Sequence, residues 1–129
     1  MDKARNFRQY KVWQDAVEYS SKIYQQTDKM PWFEKKWLCD QLQRAAVSIS
    51  SNIAEGSAKP SNAEFAHYLD MALGSAYEVE TQLLIANKVG YIKNENEDED
   101  GNANYEELHR GIVDIEKQLA GLIRTLRER

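Results

Sequence analysis

The sequence predicts an all-α protein, a single domain over residues 1–129 that folds as an up-down-up-down antiparallel four-helix bundle. Apolar residues recur at helical spacing over four segments, and no segment alternates as a strand does. The links between the first three segments are short, so neighbouring helices must run antiparallel. The helices are expected at about residues 12–28, 33–55, 61–89 and 105–127.

Residues that stop or cap helices set these boundaries. The first helix is expected to stop before Pro31, because proline cannot continue a helix. Ser61 and Glu64 have the spacing of a capping box, which predicts the start of the third helix, and Gly90 follows its end. Asn104 can cap the fourth helix, which carries a narrow apolar stripe and a polar outer side.

The second helix is the most unusual segment, because it carries no charged residue between Arg44 and Glu55. One stripe of about 100° faces the core and is formed by Leu38, Leu42, Ala45, Ala46, Ile49 and Ile53. On the far side, Val47, Ser50 and Ala54 form a face of small residues. A surface helix does not usually lack charge in this way, so we predict that these three residues form an interface between copies of the chain, and that Gly56 stops the helix.

Composition favours a soluble cytoplasmic protein. Hydrophobic residues make up 42% and charged residues 29% of the chain, and no apolar run approaches the ~20 residues of a membrane span. No apolar segment follows the first charged residues, so we expect no signal peptide. The single cysteine, Cys39, cannot form an internal disulfide and is expected to fill space in the core.

The net charge of −4 comes from one acidic loop, residues 95–100, in the link before the fourth helix. The loop contains five acids and no base, and the rest of the chain has nearly equal numbers of both charges. Such runs are usually solvated, and a role in binding a partner or repelling RNA is the alternative. The overall charge therefore does not exclude a nucleic-acid partner.

Glu80 is difficult to place at the surface, because it falls between two apolar stripes of the third helix. A buried carboxylate needs a partner, and Arg44 is the leading candidate, with Gln41 and Asn52 as hydrogen-bonding neighbours. We predict a buried polar network of Gln41, Arg44, Asn52 and Glu80 that fixes helix register. The alternative is a catalytic or ligand-binding site around Arg44, Asn52 and Glu80.

Two Glu-x-x-His pairs, Glu64/His67 and Glu106/His109, have the spacing by which bundles hold a di-iron centre. Both pairs lie about 100–160° from the apolar stripes, so they should face outward. The sequence therefore predicts no metal site and no cofactor.

A basic stripe lies on the solvent side of the fourth helix, where Arg110, Lys117 and Arg124 recur every seven residues. Such a stripe is usually a solvated face. In a ring of several copies, however, the stripes would add up to a positive field that could bind phosphates, so we predict a nucleic-acid contact here.

Several segments carry a resemblance to a known family: Tyr10-Lys11-Val12-Trp13-Gln14, Ile23-Tyr24, Gln41-Leu42 through Gly56, Glu64-Phe65, and Gly74-Ser75 through Gln82-Leu83. The chain resembles the small bacterial four-helix-bundle proteins encoded in intervening sequences of 23S rRNA genes, which are described as ribosomal-protein-like. Gln43 and Ser50 depart from the arginine and proline frequent in that family, which implies a weaker basic patch and a straighter second helix.

The resemblance implies that the bundle assembles as a homopentameric ring. The family also looks similar to the accessory variability determinant of diversity-generating retroelements, a pentamer that binds a reverse transcriptase and its template RNA. We therefore expect a non-enzymatic homo-oligomeric scaffold that binds RNA or an RNA-binding protein, with no membrane contact and no small-molecule substrate. The alternatives are a protein–protein adaptor bundle with no nucleic-acid contact and an enzyme with a site around Arg44 and Glu80.

Overall fold

The structure is a computed structural model that describes residues 5–94 and 103–129. Within these ranges it contains four α-helices and no strand. The helices are α1 (Lys11–Asp28), α2 (Asp40–Ser57), α3 (Asn62–Lys88) and α4 (Tyr105–Glu128). The predicted all-α four-helix fold is confirmed, whereas the acidic loop 95–100 lies outside the described residues.

The helices pack in chain order around one apolar core. The contact between α2 and α3 is the most extensive, and α1 packs more closely on α2 than on α4. The largest fully buried side chains come from all four helices and from the residues after α3, and they include Ile23, Leu42, Ile49, Ile53, Phe65, Leu69, Leu83, Ile92, Leu108, Ile112, Ile115 and Leu119. Burial of such side chains from water is the main stabilising contribution to the bundle.

The bundle has two distinct ends. The lower end holds residues 5–10, the link between α2 and α3, and the C-terminal turn of α4, and Arg5 donates a hydrogen bond to Lys59 O there at 2.7 Å. The upper end holds residues 29–39 and the segments that flank residues 95–102. At that end the Tyr91 hydroxyl bonds to Glu34 Oε1 at 3.2 Å, and Tyr105 N donates to Lys93 O at 2.9 Å.

The entry into α2 differs from the uniform helix expected from about residue 33. A 3₁₀ turn at Trp32–Glu34 and a π-helical turn at Lys35–Cys39 precede the α-helix. Contacts to α1 and to the link after it hold this entry, since Lys35 Nζ donates to Thr27 O at 2.7 Å and the buried Cys39 Sγ lies 3.4 Å from Met30 Sδ. Trp32 and Trp37 remain 83% and 69% exposed.

Gly56 does not stop α2, so that prediction is wrong. The helix continues through Ser57, and Gly56 packs directly against Phe65 and Tyr68 of α3. A Cβ atom at position 56 would lie 2.5 Å from Tyr68 Cβ, closer than two carbon atoms can pack. Gly90, after α3, has φ +86° and takes the left-handed conformation that ends many helices.

Candidate functional site

The predicted buried pair of Arg44 and Glu80 does not form. The side chain of Arg44 is 80% exposed, and its Nε lies 2.9 Å from Asp40 Oδ2, one turn earlier on the same helix. Arg44 points away from α3 because it lies on the solvent side of α2, opposite the core stripe. The prediction of a buried network that includes Arg44 is therefore wrong, and no site joins Arg44 to Glu80.

The other two residues of that prediction, Gln41 and Asn52, lie on the side of α2 that faces α3. The exposed Gln41 accepts a hydrogen bond from Gln82 at 3.3 Å, and Asn52 Nδ2 donates to the carbonyl and the hydroxyl of Ser48, both at 2.9 Å. Ser75 continues the chain of contacts, with its hydroxyl 3.0 Å from that of Ser48. Neutral polar side chains thus line this α2–α3 seam.

Glu80 turns towards α4 instead of α2. Its Oε2 lies 3.7 Å from His109 Nε2, with side chains that are 37% and 44% exposed. The carboxyl group of Glu80 also lies beside that of Glu116 on α4, close enough to raise the pKa of Glu116. We call Glu80, His109 and Glu116 the carboxyl cluster.

The two carboxyl groups of this cluster must share a proton to hydrogen-bond each other. Burial and the adjacent Glu80 raise the pKa of Glu116 to about 8. Glu116 Oε2 is buried and has no hydrogen-bond partner among the described residues, an environment that favours the neutral form of the carboxyl group. Glu116 therefore keeps its proton to higher pH than an ordinary glutamate.

Two tyrosines surround the carboxyl cluster. The Tyr19 hydroxyl, from α1, donates to Leu108 O at 2.7 Å, and burial together with the negative charges of Glu116 and Glu80 raises the Tyr19 pKa. Tyr105 stacks on His109 with ring centroids 5.8 Å apart, and burial and Glu80 raise its pKa as well. The described residues contain no group of histidine, cysteine or carboxylate side chains arranged to hold a metal ion.

Glu116 was missed in the sequence because it lies beside the apolar stripe of α4. At 100° per residue it falls about 20° outside the edge marked by Ile123. A glutamate this close to an apolar stripe can be recognised from the sequence as partly buried, since Glu80 was singled out by its position between two apolar stripes. Periodicity gives the angle of each side chain on its own helix, but it does not say which neighbouring helix the side chain meets.

The predicted interface residues lie on the outer surface of α2. Val47 is 40% exposed, and Ser50 and Ala54 are partly exposed. A second apolar surface lies on α3, where the exposed large side chains are Met71, Tyr77, Leu84, Ile85 and Val89. The polar α2–α3 seam lies between these two surfaces. Further exposed large apolar side chains lie on α1, at Val17 and Tyr24, and at the upper end, at Trp32, Phe33 and Trp37.

The basic stripe of α4 is exposed along its length. Arg110, Lys117 and Arg124 all reach solvent, and none forms an ion pair with another residue in the described ranges. A groove of about 450 Å³ runs beside Arg110 and Lys117, and its walls also include Tyr105, His109 and Val113 together with the acids Glu106 and Asp114.

Comparison with known proteins matches the chain to one family model and to solved structures. A family model described as 23S rRNA-intervening sequence protein matches residues 8–119. The chain is also similar to a crystal structure of a protein with unknown function from the S23 ribosomal protein family of Bacteroides thetaiotaomicron VPI-5482. That chain is 26% identical with a TM-score of 0.75, and the match covers 88% of this chain and 95% of that one. No curated protein matches the chain. No helix in the described part of the chain has the length and apolar character needed to cross a membrane.

Proposed function

This chain belongs to the family of 23S rRNA-intervening sequence proteins, and we propose that it is a non-enzymatic scaffold that assembles as a homopentameric ring and binds RNA. The observation that carries the proposal is the pair of apolar outer surfaces on α2 and α3. An interface of a ring with more than two copies joins two different surfaces of the same chain, whereas a twofold dimer uses one surface twice. Two separate apolar surfaces fit the ring.

The basic stripe of α4 supports the RNA contact. Its three cations are spaced about 10 Å apart, since seven residues of α-helix rise about 10.5 Å. Unpaired cations at this spacing can neutralise successive phosphates on a backbone, and a ring repeats the stripe in every copy. We therefore place the RNA contact on Arg110, Lys117 and Arg124.

The sequence suggested one enzymatic site, around Arg44, Asn52 and Glu80. Arg44 instead lies at the surface, where it pairs with Asp40, and Glu80 turns towards His109 on α4. These residues therefore do not form a common site, which supports the non-enzymatic assignment. The carboxyl cluster is a different arrangement, and the groove beside it is walled by His109 without Glu80 or Glu116.

The assembly is tested by Ala54→Glu, which would place a charge in the interface of every copy. We expect a lower mass by light scattering with the helical circular dichroism retained. Ala120→Glu is the matched control, because Ala120 is an exposed alanine on α4 outside the proposed interface. An unchanged mass for Ala54→Glu, or an equal loss in both variants, would contradict an interface at Val47, Ser50 and Ala54.

The RNA contact is tested by reversing the charges of Arg110, Lys117 and Arg124 together to glutamate. Binding to structured RNA should fall at least about tenfold, and wild-type affinity should decrease as salt rises because phosphate contacts release counterions. The control reverses three exposed lysines elsewhere, Lys22, Lys36 and Lys88, with the same change of net charge. Absence of RNA binding by the wild-type protein would favour the protein–protein adaptor instead.

A further inference from the structure

A cavity of about 700 Å³ opens at the lower end of the bundle, away from the α4 stripe and the carboxyl cluster. The N-terminal segment, the link between α2 and α3, and the last turns of α4 each contribute to its walls. Three cationic side chains line it, Arg5, Lys59 and Arg129, and no acidic side chain of the described residues does. We call it the lower-end cavity.

Arg5 carries a positive charge that its own contacts do not neutralise. Its guanidinium donates to Lys59 O at 2.7 Å and to Asn62 Oδ1 at 2.6 Å, and it lies 4.8 Å from the centroid of the Phe65 ring. All of these partners are neutral. The contacts hold the guanidinium in place at the C-terminal side of α2, where it satisfies backbone carbonyls, but they leave its full charge available to the cavity.

Lys59 and Arg129 add two more unneutralised charges. The Lys59 ammonium lies 5.1 Å from the centroid of the Tyr68 ring, and neither residue forms an ion pair within residues 5–94 and 103–129. The neighbouring Arg127 already pairs with Asp70, with one N–O distance of 3.3 Å, so that carboxylate is occupied. Three cations around one concave space attract an anion. Lys59 also lines an adjacent groove with Tyr68 and Glu64, so Glu64 is an acid on the far side of Lys59 from the cavity wall that it shares with Arg5 and Arg129.

The local backbone adds to this positive field. α3 begins at Asn62 in the cavity wall, and the first amides of a helix carry a partial positive charge. Ser61 satisfies one of these amides by accepting a hydrogen bond from Glu64 N at 3.1 Å. The three cations remain the main contribution to the positive field in the cavity, and the start of α3 adds a smaller contribution of the same sign.

We propose that the lower-end cavity binds a phosphate group, with Lys59 and Arg129 as direct ligands and Arg5 as a fixed charge behind them. A cavity of about 700 Å³ has the size range of small-molecule sites and exceeds what a lone phosphate fills. The phosphate therefore belongs to a larger ligand, either as a phosphomonoester at the end of a nucleotide or RNA, or as a phosphodiester within an RNA backbone. The site does not depend on the RNA contact proposed for α4.

The proposal is tested by titrating the full chain with sodium phosphate, with sodium chloride at matched ionic strength as the reference, and following backbone amides by NMR. We expect phosphate-specific shifts at residues 59–62 and near Arg129. Lys59→Gln should weaken phosphate binding about tenfold, because a hydrogen bond from a charged donor is among the stronger polar contacts. Arg129→Gln provides a second variant at an exposed position, where folding should not be affected.

Lys36→Gln is the matched control, since it makes the same change at an exposed position of the upper end. The proposal is overturned if phosphate causes no specific shift at the lower end, or if Lys59→Gln and Arg129→Gln both bind it as wild type does. A short RNA with and without a 5′-phosphate then separates the sources. Binding that needs the 5′-phosphate identifies a monoester site, and equal binding of both forms identifies the backbone.

The result is independent of the proposed RNA contact. The triple charge reversal on α4 should leave phosphate shifts at the lower end intact, and Lys59→Gln should leave the mass of the assembly unchanged. Loss of lower-end binding with intact RNA binding on α4, or the reverse, would separate the two proposals.

Discussion

Glu116 and Glu80 illustrate how a helix contact can depend on a single proton. A lone glutamate loses its proton near its ordinary pKa of 4.5, but burial and the facing carboxyl group raise the pKa of Glu116 to about 8. The two carboxyl groups can form a hydrogen bond between α3 and α4 only while one of them is protonated. His109, Tyr19 and Tyr105 are the other titratable groups that face the pair.

Replacement of Glu116 by glutamine should remove part of the pH dependence of stability. The folded-state pKa lies above the unfolded one, so this stabilisation is complete below about pH 4.5 and is lost as pH rises to about 8. Glutamine can donate to Glu80 without titrating. Between pH 5 and pH 8, the urea midpoint of Glu116→Gln should therefore fall less than that of wild type.

The control for this experiment is Glu78→Gln, which changes an exposed glutamate on α3. His109 is present in both wild type and Glu116→Gln, so the difference between the two profiles isolates the carboxyl pair. Parallel profiles for wild type and Glu116→Gln would show that the two carboxyl groups do not share a proton.

For individual residues, the sequence indicated which charged side chain lies among apolar ones, but it did not indicate the partners of that side chain. Glu80 stood out because a charge between two apolar stripes is costly, and the structure gives it two partners on α4. Arg44 was assigned to it wrongly, because Asp40 lies within reach on the same helix and an exposed pair costs little to form. Helical periodicity gives no information on how one helix is rotated relative to the next.

The contact of α2 with α3 at the lower end depends on the absence of a side chain at Gly56. We expect Gly56→Ala to destabilise the protein by about 1–3 kcal/mol, because the added methyl group would overlap Tyr68 Cβ and force the helices apart. Urea denaturation followed by circular dichroism measures the change.

Gly121→Ala is the matched control within α4, where an added Cβ meets nothing within 4 Å. Removal of a helix glycine at an open position should stabilise the protein by up to about 1 kcal/mol. Opposite signs for the two variants support the close approach at Gly56. A neutral Gly56→Ala would show that Tyr68 can move aside at little cost.

Helix starts that depend on local hydrogen bonds agree with the sequence. The side chains of Ser61 and Asn104 accept hydrogen bonds from Glu64 N and Glu107 N, as their capping patterns predict. The start of α2 could not be predicted in the same way. Its 3₁₀ and π turns are held by contacts from Lys35 and Cys39 to residues of the preceding helix and link, and such contacts leave no local pattern.

Charge is distributed unequally between the ends of the molecule. The acidic loop 95–100 is joined to the upper end through Lys93 and Ala103, and Arg110 lies in the second turn of the helix that follows. Arg110 is about 8 Å along α4 from its start, which is comparable to the Debye length of about 8 Å at physiological salt. For the proposed RNA contact, we therefore expect the charge of the loop to weaken the attraction of RNA to the upper part of the basic stripe.

Replacement of the five loop acids by their amides should strengthen RNA binding at low salt by at least about threefold, and the gain should disappear at high salt. The control replaces five exposed acids elsewhere, which are Glu18, Asp28, Glu55, Glu78 and Glu128. Filter binding over a salt series measures both variants. Equal gains would mean that net charge alone matters and that the position of the loop does not.

For the whole molecule, the helical periodicity and short links were sufficient to predict four helices, because each link allows little choice of direction. The assembly could not be derived in the same way. The small face of α2 indicated one contact surface by named residues, and the exposed apolar residues of α3, such as Tyr77 and Ile85, offer a second one. The helical spacing of an apolar residue does not show whether that residue is buried in the core of its own chain or in a contact with a neighbouring copy.

The position of the lower-end cavity has a further consequence for a cyclic assembly. Rotation about a ring axis brings each copy of Lys59 to an equivalent place, so the cavities of all copies form a circle. The acidic loops join the bundles at the opposite end, roughly 40 Å away, which is the length of α3. A polymer long enough to visit several cavities would gain avidity from contacts that are individually weak. A mononucleotide would bind each cavity separately and gain none.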